Sequence, residues 1–480
     1  MKRLSRIRHL ALCALMVTVA PLAQATSLLE VYQQALQSDP LIHEADARRL
    51  AAAEAAPQAR SLLLPQIEAN AGYTNSQASG TQLILDNSAV TRPPFSADLD
   101  NETWDLGLRQ SIFRWDQIVG LRQANKLVAR AEADYEAAQQ DLMIRVAQRY
   151  FDVLAAEDVL TSIHANRLAI ARQLDQAKQR FEVGLIAITD VQESQAAHDQ
   201  AVADEIGAKR TLATAREFLR EITGEYVTSL AAPTDQFPLV SPSPADEASW
   251  VDLAMSQNLA VISSRLGEQV ARDEISFRRT GHYPTIELVA GRRFNEQTGT
   301  QTFSPAPPLS QVVTPADTNS LGNSISVQLN LPIFSGGRTS SRVREAVYLH
   351  RASREQLQRV ARETERQTRD AYLGVLAEIS RVQALQQAVE SSRTALEATE
   401  AGFEVGTRTI VDVLNSQFSV YAAITNYYRS RYAYIGNVLR LKQAAGMLQV
   451  QDLEDIDKWL NERKPPEQAI REETAGEAES

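Results

Sequence analysis

Cysteine is nearly absent from this 480-residue sequence, and long apolar runs are absent after the N-terminus. The one cysteine, Cys13, lies among the first 25 residues, so the rest of the chain offers neither thiol catalysis nor cysteine-ligated metal sites. This scarcity suits an oxidising compartment in which the fold needs no disulfide. Aromatic residues make up only 6% of the sequence. Without a further apolar stretch, an orthodox membrane protein built of apolar helices is excluded.

Patterns that would indicate an enzyme are also missing. The histidines after residue 25 show no metal-ligand spacing with one another. They are His43, His164, His198, His282 and His350. No Gly-rich phosphate loop follows a predicted strand. The sequence therefore predicts no enzymatic activity, no cofactor and no dedicated metal site.

Residues 1–25 have the order of a secretory signal peptide. Four cations come first: Lys2, Arg3, Arg6 and Arg8. An apolar stretch from Leu10 to Leu22 follows, and the small residues of Ala23-Gln24-Ala25 make Ala25 the expected last residue removed. Lipidation of Cys13 is the alternative, but Cys13 lies inside the apolar stretch instead of following a small residue.

The chain is acidic, with a formal net charge of −11 that falls to −15 when the four positive charges of the signal are removed. An acidic chain repels nucleic acid, so we expect no nucleic-acid partner. Residues 449–480 form an acidic tail for which solubility is a sufficient explanation, and we expect its end to be disordered.

The chain repeats itself once, at an offset of about 220 residues, and several separate regions carry the match. Pro65, Ile67, Glu68, Ala71 and Gly72 recur as Pro284, Ile286, Glu287, Ala290 and Gly291. Leu108, Ile112 and Phe113 recur as Leu329, Ile333 and Phe334, and Phe181-Glu182-Val183-Gly184 recurs as Phe403-Glu404-Val405-Gly406. We predict a tandem duplication, with repeats at 26–227 and 246–448 joined by a linker at 228–245.

Each repeat contains two segments with period-two alternation, the pattern of a strand with one apolar and one polar face. The clearest example in the first repeat is Trp104, Leu106, Leu108 and Ile112, and in the second Ile325, Val327, Leu329, Leu331 and Ile333. Weaker segments begin at Pro65 and Pro284, and polar loops are predicted at Thr74–Asn101 and Asn295–Asn323. The hairpins at about 65–113 and 284–334 match those of an outer-membrane barrel, although a soluble antiparallel sheet is the alternative.

Four strands cannot close a barrel, and an open edge in lipid leaves backbone groups unpaired at several kcal/mol each. The chain must therefore associate if its strands span a membrane. Two copies would supply eight strands and three would supply twelve, and both numbers occur in such barrels. This argument demands an oligomer without choosing the number.

The remainder of each repeat is predicted to be a long helical hairpin, at about 115–224 and 338–447. Neither glycine nor proline occurs between Gly120 and Gly184, so helix should run almost unbroken for about 95 Å. The returning helix of the second repeat has apolar steps of four and three that predict a coiled-coil seam. Its members are Leu414, Phe418, Tyr421, Thr425, Tyr428, Tyr432, Ile435 and Leu439.

The chain resembles the TolC outer-membrane efflux proteins over almost all of its length after the signal. The matching runs include Leu63-Leu64-Pro65-Gln66, Arg180-Phe181-Glu182-Val183-Gly184-Leu185, Ala187-Ile188-Thr189-Asp190-Val191-Gln192 and Val405-Gly406-Thr407-Arg408-Thr409-Ile410-Val411-Asp412-Val413-Leu414. The resemblance implies an α+β membrane protein in which each protomer gives four strands to a twelve-stranded trimeric barrel. Long antiparallel helices would form a periplasmic tunnel, surrounded by a mixed α/β belt that includes the C-terminal segment.

The resemblance also implies partners. A homotrimer in outer-membrane lipid would dock onto a periplasmic adaptor and an inner-membrane transporter of the RND, ABC or MFS class. It would export drugs and other small molecules, or proteins by type I secretion. A periplasmic coiled-coil adaptor or scaffold is the alternative from another class, but such a protein does not need four amphipathic strands.

Two Val-Gly turns resemble the helix-tip motifs at which adaptors meet the tunnel. They are Val183-Gly184-Leu185 and Val405-Gly406-Thr407. Each glycine has a sufficient local reason, because a helix commonly ends with a left-handed residue. Turn geometry alone and turn plus docking surface therefore both remain open, and exposure of Leu185 would favour docking.

Residues beside these turns match a gate that closes the tunnel in the family. The resemblance assigns Arg408, Thr189 and Asp190 to links that hold the tunnel end shut. The alternative is helix capping alone: Thr189 with Gln192 has the pattern of a capping box, and Asp190 and Asp412 are favourable acids of a first turn.

Two positions depart from the family pattern. Asn415 stands where the family has a second ring of aspartates beside Asp412, so we expect weaker block by multivalent cations. Phe403 replaces a tyrosine whose hydroxyl helps to hold the closed state, so one gate hydrogen bond is expected to be missing.

Overall fold

The computed structural model describes residues 25–86, 89–227, 229–234, 237–304 and 310–461. The secretory signal up to residue 24, with Cys13, and the end of the acidic tail from residue 462 lie outside the described residues. The chain forms two compact units. The first contains Ala138–Asn258 and the described residues before Glu44 and after Thr364, and the second contains Glu44–Ala137 and Leu259–Thr364.

The described helices lie on both sides of the long strands in each repeat, with shorter helices before the strands and two long helices after them. They are α1 (Leu28–Ser38), α2 (Pro40–Ala53), α3 (Ala55–Ser61), α4 (Trp115–Glu182), α5 (Ile188–Thr223), α6 (Glu247–Gln257), α7 (Leu259–Arg279), α8 (Arg338–Glu404), α9 (Ile410–Ala444) and α10 (Val450–Asp457). A short 3₁₀ helix spans Thr280–His282. The predicted unbroken helices are confirmed, because α4 and α8 contain 68 and 67 residues.

The strands are β1 (Gln66–Thr81), β2 (Ile84–Asp86), β3 (Ala89–Thr91), β4 (Pro94–Phe113), β5 (Ala232–Pro233), β6 (Thr285–Phe303), β7 (Val312–Pro315), β8 (Thr318–Asn330) and β9 (Leu460–Asn461). In the second unit, four long antiparallel strands lie in the order β1-β4-β6-β8, and β7 pairs with the far end of β6. This sheet is open.

The long strands extend well into the loops predicted at Thr74–Asn101 and Asn295–Asn323, so those loop boundaries were wrong. The β1 ladder to β4 continues to Thr81 opposite Pro94, and β6 runs to Phe303. In these strand extensions, Ser, Thr and Asn lie on both faces of the strand, so the sequence there shows no alternation of apolar and polar residues. Backbone ladder bonds hold such residues in strands once the neighbouring strand is in place.

In the first unit, the predicted seam on α9 is only partly correct. Tyr432, Ile435 and Leu439 are buried as expected, whereas Phe418 is 66% exposed. The buried line near the start of α9 is instead Ile410, Val413, Gln417 and Val420. Gln417 occupies a core position that an apolar pattern does not reveal, so the sequence placed the seam on the neighbouring face.

Segments near both ends of the described chain and the predicted linker form a small α/β layer in the first unit. β5, from the predicted linker, pairs with β9, and α10 packs on α1 with Leu453 fully buried. The buried Tyr150 hydroxyl donates to the Ala231 carbonyl at 2.6 Å. The predicted acidic tail is therefore folded through Asn461, because Leu453 and Ile456 supply a small apolar face despite the surrounding acids.

Among the described residues, no helix combines the length and apolar character needed to cross a membrane.

Candidate gate at the helix tips

Two glycine turns reverse the long helices, and both have the same hydrogen bonds. At the end of α4, the Leu185 N–H donates to the Arg180 carbonyl and the Gly184 N–H to the Phe181 carbonyl, each at 2.9 Å. Gly184 has φ +78°, and Gly406, at the end of α8, has φ +79°. This is the Schellman arrangement, which needs a left-handed residue and satisfies helix-end carbonyls. Turn geometry alone is therefore sufficient to explain why glycine occurs at both positions.

Large apolar side chains project from these turns into solvent. Leu185 is 73% exposed and Val405 is 76% exposed, and Val183 is similarly exposed. Thr407, which follows Gly406, is also exposed and donates its hydroxyl to the Gly402 carbonyl at 3.0 Å. Burying such aliphatic side chains on a partner would be favourable, because exposed apolar area is removed from water.

The helices that leave the two turns begin differently. The Thr409 side chain caps α9: its hydroxyl accepts from the Asp412 N–H at 3.3 Å, and the Asp412 carboxylate accepts from the Thr409 N–H at 2.9 Å. This reciprocal pair is a capping box. In α5 the matching N-cap is Ala187, and no side chain of the described residues caps it.

The predicted capping box at Thr189 and Gln192 is therefore wrong. The Schellman turn at Gly184 returns the chain so that α5 starts at Ile188, which places Thr189 inside the first turn and exposed. The threonine-to-glutamine spacing was present, but it lay two residues beyond the true N-cap. Asp190 and Asp412 are both acids of a first turn, as expected.

Arg408 lies just before the N-cap of α9, where the positive end of the helix dipole disfavours a cation. The negative charge of the Asp412 carboxylate compensates the charge of this cation. Hydrogen bonds from the Thr409 N–H and hydroxyl, and then the positive charge of Arg408, hold the pKa of the Asp412 carboxyl below its usual range. Asp412 is thus ionised at neutral pH and stabilises both the helix start and the neighbouring cation.

Phe403 contacts a residue that the sequence analysis missed. The Arg180 guanidinium lies over the Phe403 ring, 4.9 Å from its centroid, and so joins the end of α4 to the end of α8. A cation over an aromatic face is attractive. Arg180 stood in a run matching the family, but nothing in its spacing from Phe403, over 200 residues away, indicated contact.

Gly402 is a second missed residue. A Cβ built on Gly402 would lie 2.8 Å from Cγ of Arg408, so only glycine leaves room for the Arg408 side chain there. A side chain at position 402 would therefore displace the Arg408 side chain.

Not all of the predicted gate residues contact one another within one chain. Among the described residues, no hydrogen bond or ion pair links Thr189 or Asp190 to Arg408. Asn415 lies one turn after Asp412 on α9 and is exposed, and its carbonyl accepts from the Ser419 hydroxyl at 2.9 Å. Within the chain, the Arg180 guanidinium thus contacts the Phe403 ring, and the charge of Arg408 acts on the Asp412 carboxyl.

Comparison with known proteins agrees with this architecture. The family model described as outer membrane efflux protein matches residues 31–225 and 250–447, one match for each repeat. The outer membrane protein TolC of Vibrio cholerae serotype O1 is 36% identical over 96% of this chain and 100% of its own length. The alkaline protease secretion protein AprF of Pseudomonas aeruginosa is 28% identical, covering 90% of this chain and 87% of its own.

A solved structure shares the fold at low identity. The outer membrane protein VceC of Vibrio cholerae has a TM-score of 0.69 and 19% identity, covering 87% of this chain and 96% of that one. The duplication, the long helices and the four-strand sheet are thus the common architecture. This chain belongs to the family of outer membrane efflux proteins.

Proposed function

We propose that three copies of this chain assemble into an outer-membrane export channel that is closed at its helix tips until a partner opens it. Each copy gives four strands to a twelve-stranded barrel and its long helices to a periplasmic tunnel. A periplasmic adaptor and an RND, ABC or MFS transporter of the inner membrane would supply drugs, other small molecules or secreted proteins. The open amphipathic sheet, in a chain of this family, carries the proposal.

The sheet supports assembly in a membrane. Ile325, Val327 and Leu329 project from one face of β8, and all three are exposed in the single chain. Lipid would cover this apolar face at a gain of about 25 cal/mol per Å². The edge strands would still need partners there, because unpaired backbone groups are costly in lipid. Several copies closing one barrel meet both demands.

The helix tips support a gate that two kinds of contact would hold closed. Within a chain, Arg180 on Phe403 ties the end of α4 to the end of α8. Between chains, we expect Arg408 of one copy to meet Thr189 and Asp190 of another, since these side chains are not joined within the chain. The Arg180 contact would stand in for the tyrosine hydroxyl that Phe403 lacks.

Single-channel conductance in a planar bilayer tests the gate. Arg408→Ser should give a larger current than the wild type, because it removes the proposed link between copies. Arg393→Ser, which changes an exposed arginine of α8 away from the turns, is the matched control and should conduct as the wild type does. Equal currents in all three proteins would remove Arg408 from the gate, and failure of all three to conduct after insertion would remove the channel itself.

The Arg180 contact has a separate test in the same assay. Arg180→Gln and Phe403→Leu should each raise the current, and the double variant should exceed neither, because both changes break one contact. Phe403→Tyr should lower the current by restoring a hydroxyl at the tip. Additive effects of the two single changes would show that they act through different contacts.

The constriction would hold one acidic ring, made of three Asp412 carboxylates, with Asn415 one turn further along α9. We expect only weak block by multivalent cations, and cation selectivity from the negative ring. Asn415→Asp adds a second ring and should strengthen block by a trivalent hexamminecobalt ion, whereas Asn415→Ser should not. Strong micromolar block of the wild type would contradict the single-ring assignment.

The exposed turns would be the adaptor surface, formed by Val183, Gly184 and Leu185 with Val405, Gly406 and Thr407. Leu185→Glu should abolish dye efflux in cells while leaving assembly on gels unchanged. Leu185→Met keeps an apolar side chain and should retain efflux. Normal efflux in Leu185→Glu cells would show that this side chain takes no part in docking.

A further inference from the structure

Two polar residues lie directly opposite each other on the apolar face of the long-strand sheet, Arg292 of β6 and Asn323 of β8. Side chains alternate between the two faces of a strand, so position 292 shares its face with Ala290 and Phe294. The rows of residues on either side of this pair are apolar. They are Trp104, Phe294 and Leu321 on one side, and Leu108, Ala290 and Ile325 on the other. An arginine and an amide therefore interrupt the face that lipid would cover.

The next residue along β6 belongs to the other face of the sheet. Arg293 lies opposite Asp105 there, among the polar residues that would line the inside of the proposed barrel. On the apolar face, Arg292 and Asn323 are both exposed, and the neighbouring Ile325 is 81% exposed. Two adjacent arginines thus have different surroundings: Arg293 would face the channel, and Arg292 would face lipid.

Arg292 lies near the outer end of the apolar face. The helices join the sheet at the opposite end, where β6 begins at Thr285 and β8 ends at Asn330. At the outer end Trp104 stacks on Phe294, with ring centroids 5.7 Å apart, and aromatic rings mark the membrane interface in such barrels. Arg292 is two residues inside Phe294, about 7 Å along the strand and about 5 Å in depth once the strand tilts. Its long stem can therefore carry the charge to the level of the lipid headgroups.

Arg292 has no counter-charge in contact with it. In the part of the chain that the structure describes, no salt bridge or side-chain hydrogen bond joins Arg292 to another residue. Along β4 and β6, the first carboxylates on the same face are Glu102 and Glu296, two residues beyond the stacked rings. An unpaired cation that faces lipid is costly, so a negative charge supplied by the lipid itself would stabilise it.

We propose that Arg292 and Asn323 bind a phosphate group of a lipid in the outer leaflet, whose acyl chains lie on the apolar face beside them. This inference rests on the proposed outer-membrane barrel and assigns a ligand to its lipid-facing surface. A guanidinium presents a planar fork of donors that matches phosphate oxygens, and the Asn323 amide adds a further donor. Directly opposed residues have Cβ atoms about 4.5 to 5.5 Å apart, so both side chains can reach one phosphate.

An internal ion pair is the competing arrangement. Glu102 lies directly opposite Glu296, and like charges in opposed positions are destabilising, so an Arg292 side chain extended past the rings would compensate them. Glu296 is four residues from Arg292, however, about 13 Å along the strand, and the stacked rings lie between them. The geometry therefore favours a ligand at the level of Arg292 itself.

Native mass spectrometry of the assembled protein, titrated with purified lipid A, tests the site. The wild type should retain phosphorylated lipid A and should bind the same lipid more weakly after phosphatase treatment. Arg292→Gln should weaken binding of the phosphorylated lipid by about 10- to 100-fold, the factor for a lost hydrogen bond between charged groups. Asn323→Leu removes a neutral donor and keeps the face apolar, so it should weaken binding by about 2- to 10-fold.

The adjacent arginine supplies the matched control. Arg293→Gln makes the same change of charge on the polar face and should bind phosphorylated lipid A as the wild type does. Arg292→Lys keeps the charge without the planar fork, so its binding should fall between those of the wild type and Arg292→Gln. It also keeps the proposal testable if Arg292→Gln does not assemble, which heat-modifiable migration on gels would show. Inorganic phosphate should not displace the lipid, because the acyl chains supply the rest of the affinity.

The outcomes separate the lipid site from the barrel. Equal binding by the wild type and Arg292→Gln, or an equal loss in Arg293→Gln, would overturn the site while leaving an assembled channel intact. Phosphate-dependent binding that appears only when Glu102 and Glu296 are both changed to glutamine would show that Arg292 pairs internally and would also overturn it. Displacement by inorganic phosphate would indicate a site for free anions instead of lipid. A wild-type protein that neither assembles nor inserts would overturn the barrel and the site together.

Discussion

Replacing Thr409 by alanine should loosen the start of α9 while leaving the start of α5 unchanged. The Thr409 hydroxyl accepts from the Asp412 N–H at 3.3 Å and donates to the Asp412 carboxylate at 2.9 Å. Thr409→Ala removes both contacts and keeps the bond from the Thr409 N–H to the carboxylate. The α5 start already lacks a side-chain cap among the described residues, so the chain carries its own internal comparison.

The size of the effect follows from the cap that is lost. Replacing a threonine N-cap by alanine costs about 0.5 to 2 kcal/mol. Because 1.36 kcal/mol corresponds to a factor of ten, local opening of the first turn should become about 2 to 30 times more frequent. The change should be confined to the first turn, since helix interior bonds are untouched.

Amide hydrogen exchange measured on peptides is the appropriate assay, because it reports local opening. Peptides covering 405–416 should exchange faster in Thr409→Ala by that factor, and peptides covering 183–194 should not change. The reverse variant, Ala187→Thr, should slow exchange at the start of α5 by a similar factor.

Unchanged exchange at residues 405–416 in Thr409→Ala would refute the capping assignment. Equal acceleration at both helix starts would also refute it, since that result would indicate a general loosening of the tips. Thr409→Ser keeps a capping hydroxyl and should behave as the wild type does.

Three further perturbations have expected signs. Gly184→Ala should destabilise the protein by about 1 to 2 kcal/mol because alanine is strained at a left-handed position, whereas Gly207→Ala inside α5 should stabilise it by about 1 kcal/mol; denaturant midpoints measure both, and equal signs would refute the reasoning. Because the pKa of Asp412 is lowered, the stability that its carboxylate gives to the α9 start is complete above about pH 4 and is lost as pH falls through the folded pKa. Amide exchange at the α9 start should therefore become faster at acid pH in the wild type, but Asp412→Asn should not show this pH dependence. Glu205 is buried, and the Lys209 Nζ lies 2.7 Å from its carboxylate. Glu205→Gln should lower the free energy of unfolding by about 2 kcal/mol, whereas Lys209→Gln, which changes a half-exposed side chain, should lower it by under about 1 kcal/mol; thermal unfolding measures both.

The long helices could be predicted because their signal is local and repeated. Helix-forming residues, with no glycine or proline after Gly120, specify most of α4 whatever it packs against. The turns at Gly184 and Gly406 were predictable for the same reason, since a left-handed helix end is a property of a few adjacent residues.

The start of α5 and the fold of residues 450–461 were not predictable from local patterns. Thr189 and Gln192 have the spacing of a cap, but the preceding turn starts the helix at Ile188. The acids of α10 obscured Leu453 and Ile456, whose burial depends on α1 from the other end of the sequence. In both cases the deciding contact involves residues outside the short sequence pattern itself.

The sequence by itself determined the duplication, the amphipathic strands, the long helices and the turn glycines, because each is written in the spacing of neighbouring residues. Only the tertiary structure decided how far the strands extend, which face of α9 is buried, and that Arg180 lies on Phe403. Ladder bonds, burial and a cation over a ring depend on residues that meet through folding, and their separation along the chain carries no local signal.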